Sequence, residues 1–273
     1  MSFFKSLFFL ISGVFFCLSI KAAGQTSPGR LPESKHKLIV IAHRGNHTNV
    51  PENTLASITE AIKHGVDYVE VDLRTTKDGH LVIHHDATVD RATNGKGKVS
   101  EHTLAEIKTL QVYNHNHKTH RIPEFRDVLK LCKNKINIYL DFKDADVAQT
   151  WQQIQEAGME KQIVVYINKK EQYPKWKTIA PQMPLMTSIP DEVKSQDQLT
   201  AFLNKVKIDV VDNIVDPEIQ RFLQTRNISV WLDVQDPKEG PDSWNIALKK
   251  GVQGLQTDHP EALIDYLKKN GLR

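Results

Sequence analysis

Thiol chemistry is almost missing from this sequence: 273 residues hold two cysteines, Cys17 and Cys132. The first falls inside an apolar leader-like run. The remainder keeps one thiol, which excludes an intramolecular disulfide and a cysteine-built structural zinc site. An excess of either charge is also missing, since 36 Lys and Arg face 33 Asp and Glu for a formal +3 and a pI near 8.7. No basic stripe interleaved with aromatics occurs, so nothing calls for a nucleic-acid partner. Internal repeats and low-complexity tracts are absent too. One long apolar run exists, residues 6–20, with Lys5 before it and Lys21-Ala22-Ala23-Gly24-Gln25 after it. It is shorter than the roughly 20 residues a membrane span requires, and the small residues suit signal peptidase. Residues 1–24 therefore read as a secretory signal, and Phe16 before Cys17 argues against lipoprotein processing. The expected location is the periplasm or outside the cell, with no stable membrane insertion after cleavage. Residues 25–37 read as a linker, and 38–273 as one domain of a size common for a single α/β barrel.

What is present from residue 38 onward is an alternation of short β-branched runs with amphipathic stretches, the pattern of a parallel α/β architecture. The runs fall at 38–41, 68–72, 81–84, 136–140, 163–166, 185–187, 206–211, 229–232 and 254–256. Nine strands are one too many for an eightfold barrel. The connection 75–80 is too short for a parallel crossover and carries Asp78-Gly79, a hairpin signal. A turn at Asp78-Gly79 sets position 72 opposite His85; a turn one residue earlier sets position 70 there. Helices are expected at 54–64, 125–133, 147–157, 197–205, 217–225, 243–250 and 260–269, with Asn53 and Asp216-Pro217 as start signals. Residues 87–122 show no apolar period and read as a long loop or small insertion over the barrel mouth.

Several strand ends carry chemistry. Ile39-Val40-Ile41-Ala42 stops at His43-Arg44-Gly45, and the C-terminal strand ends of a parallel barrel form its active face. The planar fork of Arg44 suits a phosphate. Glu70 and Asp72 share one face of a strand flanked by Val69, Val71 and Leu73, and two inward carboxylates are tolerated when a divalent cation neutralises them; oxygen ligands favour Ca²⁺ or Mg²⁺. Asp141 can complete that site, with Lys143 on the same face free to meet a phosphate oxygen. His85-Asp86 has the form of a general acid/base with an orienting carboxylate, and His84 on the opposite face competes for the role. His102, His115, His117 and His120 lack ligand spacing and read as solvated.

Taken together, His43-Arg44-Gly45, Pro51-Glu52-Asn53-Thr54, Glu70-Val71-Asp72, Lys77-Asp78-Gly79, His85-Asp86, Asp90-Arg91-Ala92-Thr93 and Thr257-Asp258 resemble the glycerophosphodiester phosphodiesterase family over about residues 38–265. The resemblance implies a TIM-type (β/α)8 barrel of the PLC-like phosphodiesterase kind, with a small insertion after the third strand. It also implies metal-dependent hydrolysis of glycerophosphodiesters to sn-glycerol 3-phosphate and an alcohol. Carried onto matching positions, it makes His43 and His85 the acid/base pair and Arg44 a phosphate ligand. Glu70 and Asp72 become metal ligands, with Asp141 standing where the family has a glutamate before Lys143. Glu52 supports the site, and Trp231 walls the pocket, although Leu232-Asp233-Val234 departs from the family's Thr-Val-Asn. Competing readings are a related barrel phospholipase, of the phosphoinositide phospholipase C or lysophospholipase D type, for which an apolar rim is expected, and an exported binding protein without turnover.

Overall fold

The computed structural model describes residues 31–113, 118–214 and 216–273. The expected leader, residues 25–30 of the linker, Cys17, His115 and His117 lie outside the described residues. Nine strands occur among those described: β1 (Ile39–Ala42), β2 (Tyr68–Thr75), β3 (Leu81–Ile83), β4 (Asn137–Phe142), β5 (Ile163–Ile167), β6 (Leu185–Met186), β7 (Val210–Val211), β8 (Ser229–Asp233) and β9 (Gly254–Thr257). Eight of them pair in parallel in the order β1-β9-β8-β7-β6-β5-β4-β2, and a further β1–β2 pairing closes the ring. The ninth, β3, is the excess strand; β2 is the one strand it pairs with, antiparallel, and Val82 adds a single bridge to Glu124. Strands buried on both faces read as continuous Val/Ile runs, as Ile-Val-Ile-Ala of β1 and Ile-Val-Val of β5 do.

The helices are α1 (Leu55–Lys63), α2 (Leu104–Thr109), α3 (Phe125–Cys132), α4 (Val147–Ala157), α5 (Gln172–Ile179), α6 (Gln196–Lys205), α7 (Pro217–Thr225), α8 (Pro241–Lys249) and α9 (Pro260–Lys269). Side-chain caps start several of them: Asp146 accepts from the Gln149 amide, and Asp216 from those of Glu218 and Ile219. The cap of α1 is Thr54 rather than Asn53, because Asn53 sits at φ 54° and uses its side chain elsewhere. The strand expected at 206–211 shrinks to two residues, since Val206 caps α6.

The β2–β3 hairpin takes neither expected register. Gly79 at φ 82° and the bonds between Thr76 and His80 make a three-residue loop instead of a two-residue turn. Leu73 pairs with Ile83, and the His84 amide reaches the Asp72 carbonyl at 2.9 Å, so His84 and not His85 stands across from Asp72. The segment after β3 is a folded insertion rather than a loop. It contains a 3-10 turn and α2, and Val82, Val89, Val99, Ile107, Val112 and Ile122 pack into a small core of their own. The main core lies between strands and helices; a second one, of Ile39, Ile41, Tyr68, Tyr139, Val164, Met186, Val210 and Trp231, fills the barrel.

Candidate active site

Each barrel strand turns from apolar to polar along its inward column. β1 presents Ile39, Ile41 and then His43; β2 Tyr68, then Glu70 and Asp72; β4 Tyr139, then Asp141 and Lys143; β8 Trp231, then Asp233. The period of two carries every column from the packed interior into the mouth at the C-terminal strand ends.

Glu70 and Asp72 are buried, at 2% and 1% exposure, and Asp141 of the neighbouring strand stands level with Asp72. Ligand oxygens of the three lie within 4.8 Å of one another. Like charges at that spacing cost about 3 kcal/mol per pair at an effective dielectric near 20. The compensation visible is thin. Lys143 Nζ lies 3.1 Å from Asp72 Oδ1 and also pairs with Asp141, while Glu70 accepts from the Arg44 amide at 2.8 Å. Burial first, and then Asp72 and Asp141, push the Glu70 carboxyl well above the usual carboxylate range, and Asp141 is raised by burial and by Asp72. Three converging carboxylates with one ammonium between them fit a hard divalent cation. Asn53, at φ 54°, donates to Asp72 Oδ2 at 2.7 Å, and Asn168 donates to Asp141; both fix carboxylate orientation from outside the group.

Beside the acids, the turn after β1 is held tightly. Arg44 adopts φ 52°, its carbonyl accepts from the Asn53 amide and Ser57 Oγ, and its guanidinium donates to Glu52 Oε1 at 3.0 Å. Glu52 also accepts from Arg91, which grips Asp86, and Asp86 accepts from His85 Nδ1 at 2.6 Å. A continuous polar chain thus runs from Arg44 to His85. Burial opposes the charge of Asp86, but Arg91 and His85 outweigh it and hold its carboxyl at about 2. On the other side, His43 Nδ1 donates to Asp258 Oδ1 at 2.7 Å, and His47 Nε2 donates to the same oxygen at 3.1 Å. A carboxylate can only accept, so these contacts assign the proton to Nδ1 of His43 and of His85 and leave each Nε2 open. Ligand atoms of His43, His47 and Asp258 also converge, which the two hydrogen bonds account for.

Of the residues expected from sequence, His43, Arg44, Glu52 and His85 fall in this hydrogen-bonded network, and Glu70, Asp72, Asp141 and Lys143 in the acid group. His84 is buried and bonded to the Thr88 carbonyl, and His102 to that of Lys96, so neither is open. Trp231 does not line the mouth. It lies one inward layer below Asp233, fully buried against Tyr68, with Gly254 leaving room for its ring. Sequence reasoning gave no site role to Asn53, Arg91, Asp258 or His47. The first three lie within motifs already quoted, whereas His47 carries no signal of its own.

The sequence profile of the "Glycerophosphoryl diester phosphodiesterase family" matches residues 43–262. The chain belongs to this family. A glycerophosphodiester phosphodiesterase of Caldanaerobacter subterraneus subsp. tengcongensis is 30% identical over 245 residues, which cover 86% of this chain and all of that protein. One from Bacillus subtilis is 31% identical over 197 residues, 64% of this chain and 67% of the other. Among solved structures, a glycerophosphodiester phosphodiesterase from Agrobacterium tumefaciens superposes with a TM-score of 0.70 at 24% identity, covering 84% of this chain and 99% of that one. A phosphodiesterase of Oleispira antarctica in complex with the product sn-glycerol-3-phosphate superposes at 0.69 with 20% identity, covering 84% and 96%. At these identities the structures establish a shared fold, the closed barrel described above.

Proposed function

We propose that this protein hydrolyses glycerophosphodiesters to sn-glycerol 3-phosphate and an alcohol, with His43 and His85 as the general acid and base. The observation that carries this reading is the meeting, at one barrel mouth of a family member, of two carboxylate-oriented histidines, an arginine and an acid triad of which Glu70 and Asp72 are buried. Glu70, Asp72 and Asp141 would hold Ca²⁺ or Mg²⁺, and a bound cation supplies Lewis acidity toward the phosphoryl oxygens. Asp258 and Asp86 keep the Nδ1 protons in place, so that Nε2 of the neutral histidine accepts the nucleophile's proton, while the other histidine, as an imidazolium carrying a second proton on Nε2, gives that proton to the leaving alkoxide. Arg44 and Lys143 offset the charge that builds on the phosphoryl group. Glu52 positions Arg44, and Arg91 positions Glu52.

Soluble, deacylated substrates fit better than intact lipids, since the exposed large apolar side chains among the described residues, Leu55, Tyr113, Ile179, Ile246 and Leu272, belong to five separate segments. The leader composition supports export to the periplasm or the medium. No helix of the described residues is long and apolar enough to cross a membrane. The test is release of glycerol 3-phosphate from glycerophosphocholine, glycerophosphoethanolamine and glycerophosphoglycerol with Ca²⁺, Mg²⁺ or EDTA. Turnover that EDTA abolishes is expected, as is its loss in His43→Ala and His85→Ala proteins that still fold. An active double variant would refute the assignment.

A further inference from the structure

Two carboxylates at the mouth take no part in the chemistry above. Asp212 follows β7 and Asp233 ends β8, each two residues beyond an interior side chain, Val210 and Trp231. In the closed ring of eight, β7 stands opposite β2 and β8 opposite β4. This pair therefore faces the Glu70, Asp72 and Asp141 group across the mouth, and the carboxyls of both are raised, first by crowding of the surrounding protein and in lesser part by Asp141.

Lys250 lines a cleft beside Asp212 and Asp233 but pairs with neither. Neither forms an ion pair with a lysine or arginine among the described residues, and Lys143 is held by Asp72 and Asp141. Tyr166 and Ser188 bond to Asp212 and to each other, yet Asp212 Oδ1 is buried without a hydrogen-bond partner. Gln256, itself 6% exposed, aims its amide at the pair: Nε2 donates to Asp233 Oδ1 at 3.0 Å, while its Oε1 has no partner. Crowding by the surrounding wall, with Asp212, Asp141 and Asp258 nearby, pushes Asp233 up to about 7, although the residue itself stays exposed at the mouth. Two acids with no cation paired to them, two unpaired acceptors and an aromatic ring are complementary to a positively charged ligand group. An eight-stranded barrel mouth is narrow, so a substrate whose phosphate sits by Arg44 brings its alcohol arm within reach of the far wall.

We propose that Asp212 and Asp233, with Tyr166 and Gln256, form a subsite for the cationic nitrogen of an amino-alcohol head group. The inference rests on the hydrolytic reading above and names its substrate class: diesters of ethanolamine or choline type, in preference to diesters of uncharged polyols.

The experiment compares kcat/KM on glycerophosphoethanolamine, glycerophosphocholine and glycerophosphoglycerol, at mildly alkaline pH and low salt, for the wild-type protein and the near-isosteric Asp212→Asn and Asp233→Asn variants. The cationic substrates should be preferred, and Asp233→Asn should lose about tenfold on them, the scale of one close charge pair, chiefly through KM. On the neutral diester the change should stay within about twofold. Equal losses on all three substrates would assign the acids to the shared glycerol moiety and overturn the proposal, as would a preference that survives the double variant. Binding of free ethanolamine and choline, followed by ligand-observed NMR, separates the two readings: if no diester is turned over the hydrolytic reading fails, whereas the subsite fails if neither amine binds or both bind the Asp variants equally well.

Discussion

Asp258 has no reacting atom to touch, yet it fixes the proton on His43 by accepting from Nδ1, and it is itself held by the Glu239 carboxylate, which accepts from the Asp258 amide at 3.1 Å. Burial opposes its charge, but the two N–H donors of His43 and His47 outweigh that and keep its carboxyl well below the usual range. Asp258→Asn replaces one acceptor oxygen by a donor and frees the ring to adopt the wrong tautomer. The expected result is a fall in kcat of about 10²-fold or more with KM little changed, read from steady-state kinetics. Unchanged kcat would remove Asp258 from the machinery.

Turns of the same backbone class differ in what surrounds them. Gly45 and Gly79 both lie near φ 83° on either side, at 84° and 82°. A Cβ at Gly79 meets nothing within 4 Å, whereas one at Gly45 falls 2.4 Å from Ser57 Oγ and 2.7 Å from the Ser57 backbone. Gly79→Ala should therefore cost only the conformational penalty, about 1 kcal/mol. Gly45→Ala should cost about 3 kcal/mol or more, because the clash adds to that penalty; urea unfolding of the two variants measures the contrast. These turns also mark where the sequence stops being legible. The strands and most helices could be read because Val/Ile runs and amphipathic stretches carry their own period. The hairpin register could not, since one glycine at positive φ lengthens the loop by a residue and slips every pair. Nor could α5, whose Gln-Tyr-Pro-Lys-Trp-Lys-Thr-Ile puts a proline in the first turn and buries only Gln172 and Trp176. The insertion core escaped because its apolar residues are spaced by a 3-10 turn and isolated bridges, not by one periodic element. Site residues in strand-end motifs were legible; Asp212 and Asp233 were not, for their meaning depends on the ring order that sets them opposite the triad.

Across the whole molecule the acids fall into two opposed groups. Glu70, Asp141, Asp209 and Asp233 bind protons more tightly folded than unfolded, so their contribution to stability is complete below the ordinary carboxyl range and is lost as pH rises through the raised folded values, about 6 for Asp209 and about 7 for Asp233. Glu52, Asp86 and Asp258 do the reverse, stabilising above that range and ceasing to as pH falls. In EDTA the melting temperature should fall between mildly acidic and mildly alkaline pH. A cation at about 100 times its Kd should return about 2.7 kcal/mol, seen as a calorimetric shift that Glu70→Gln abolishes; an equal shift in that variant would place the cation elsewhere. Among the side-chain hydrogen bonds of the described residues, the one that spans most sequence joins His43 and Asp258, 215 positions apart in the chain and 2.7 Å apart in space. A chain still leaving the ribosome has an unoriented His43 and an open ring, and it stays chemically silent until its last strand arrives. Cut anywhere between those two residues, the molecule yields two inert halves, and product formation would report their reunion.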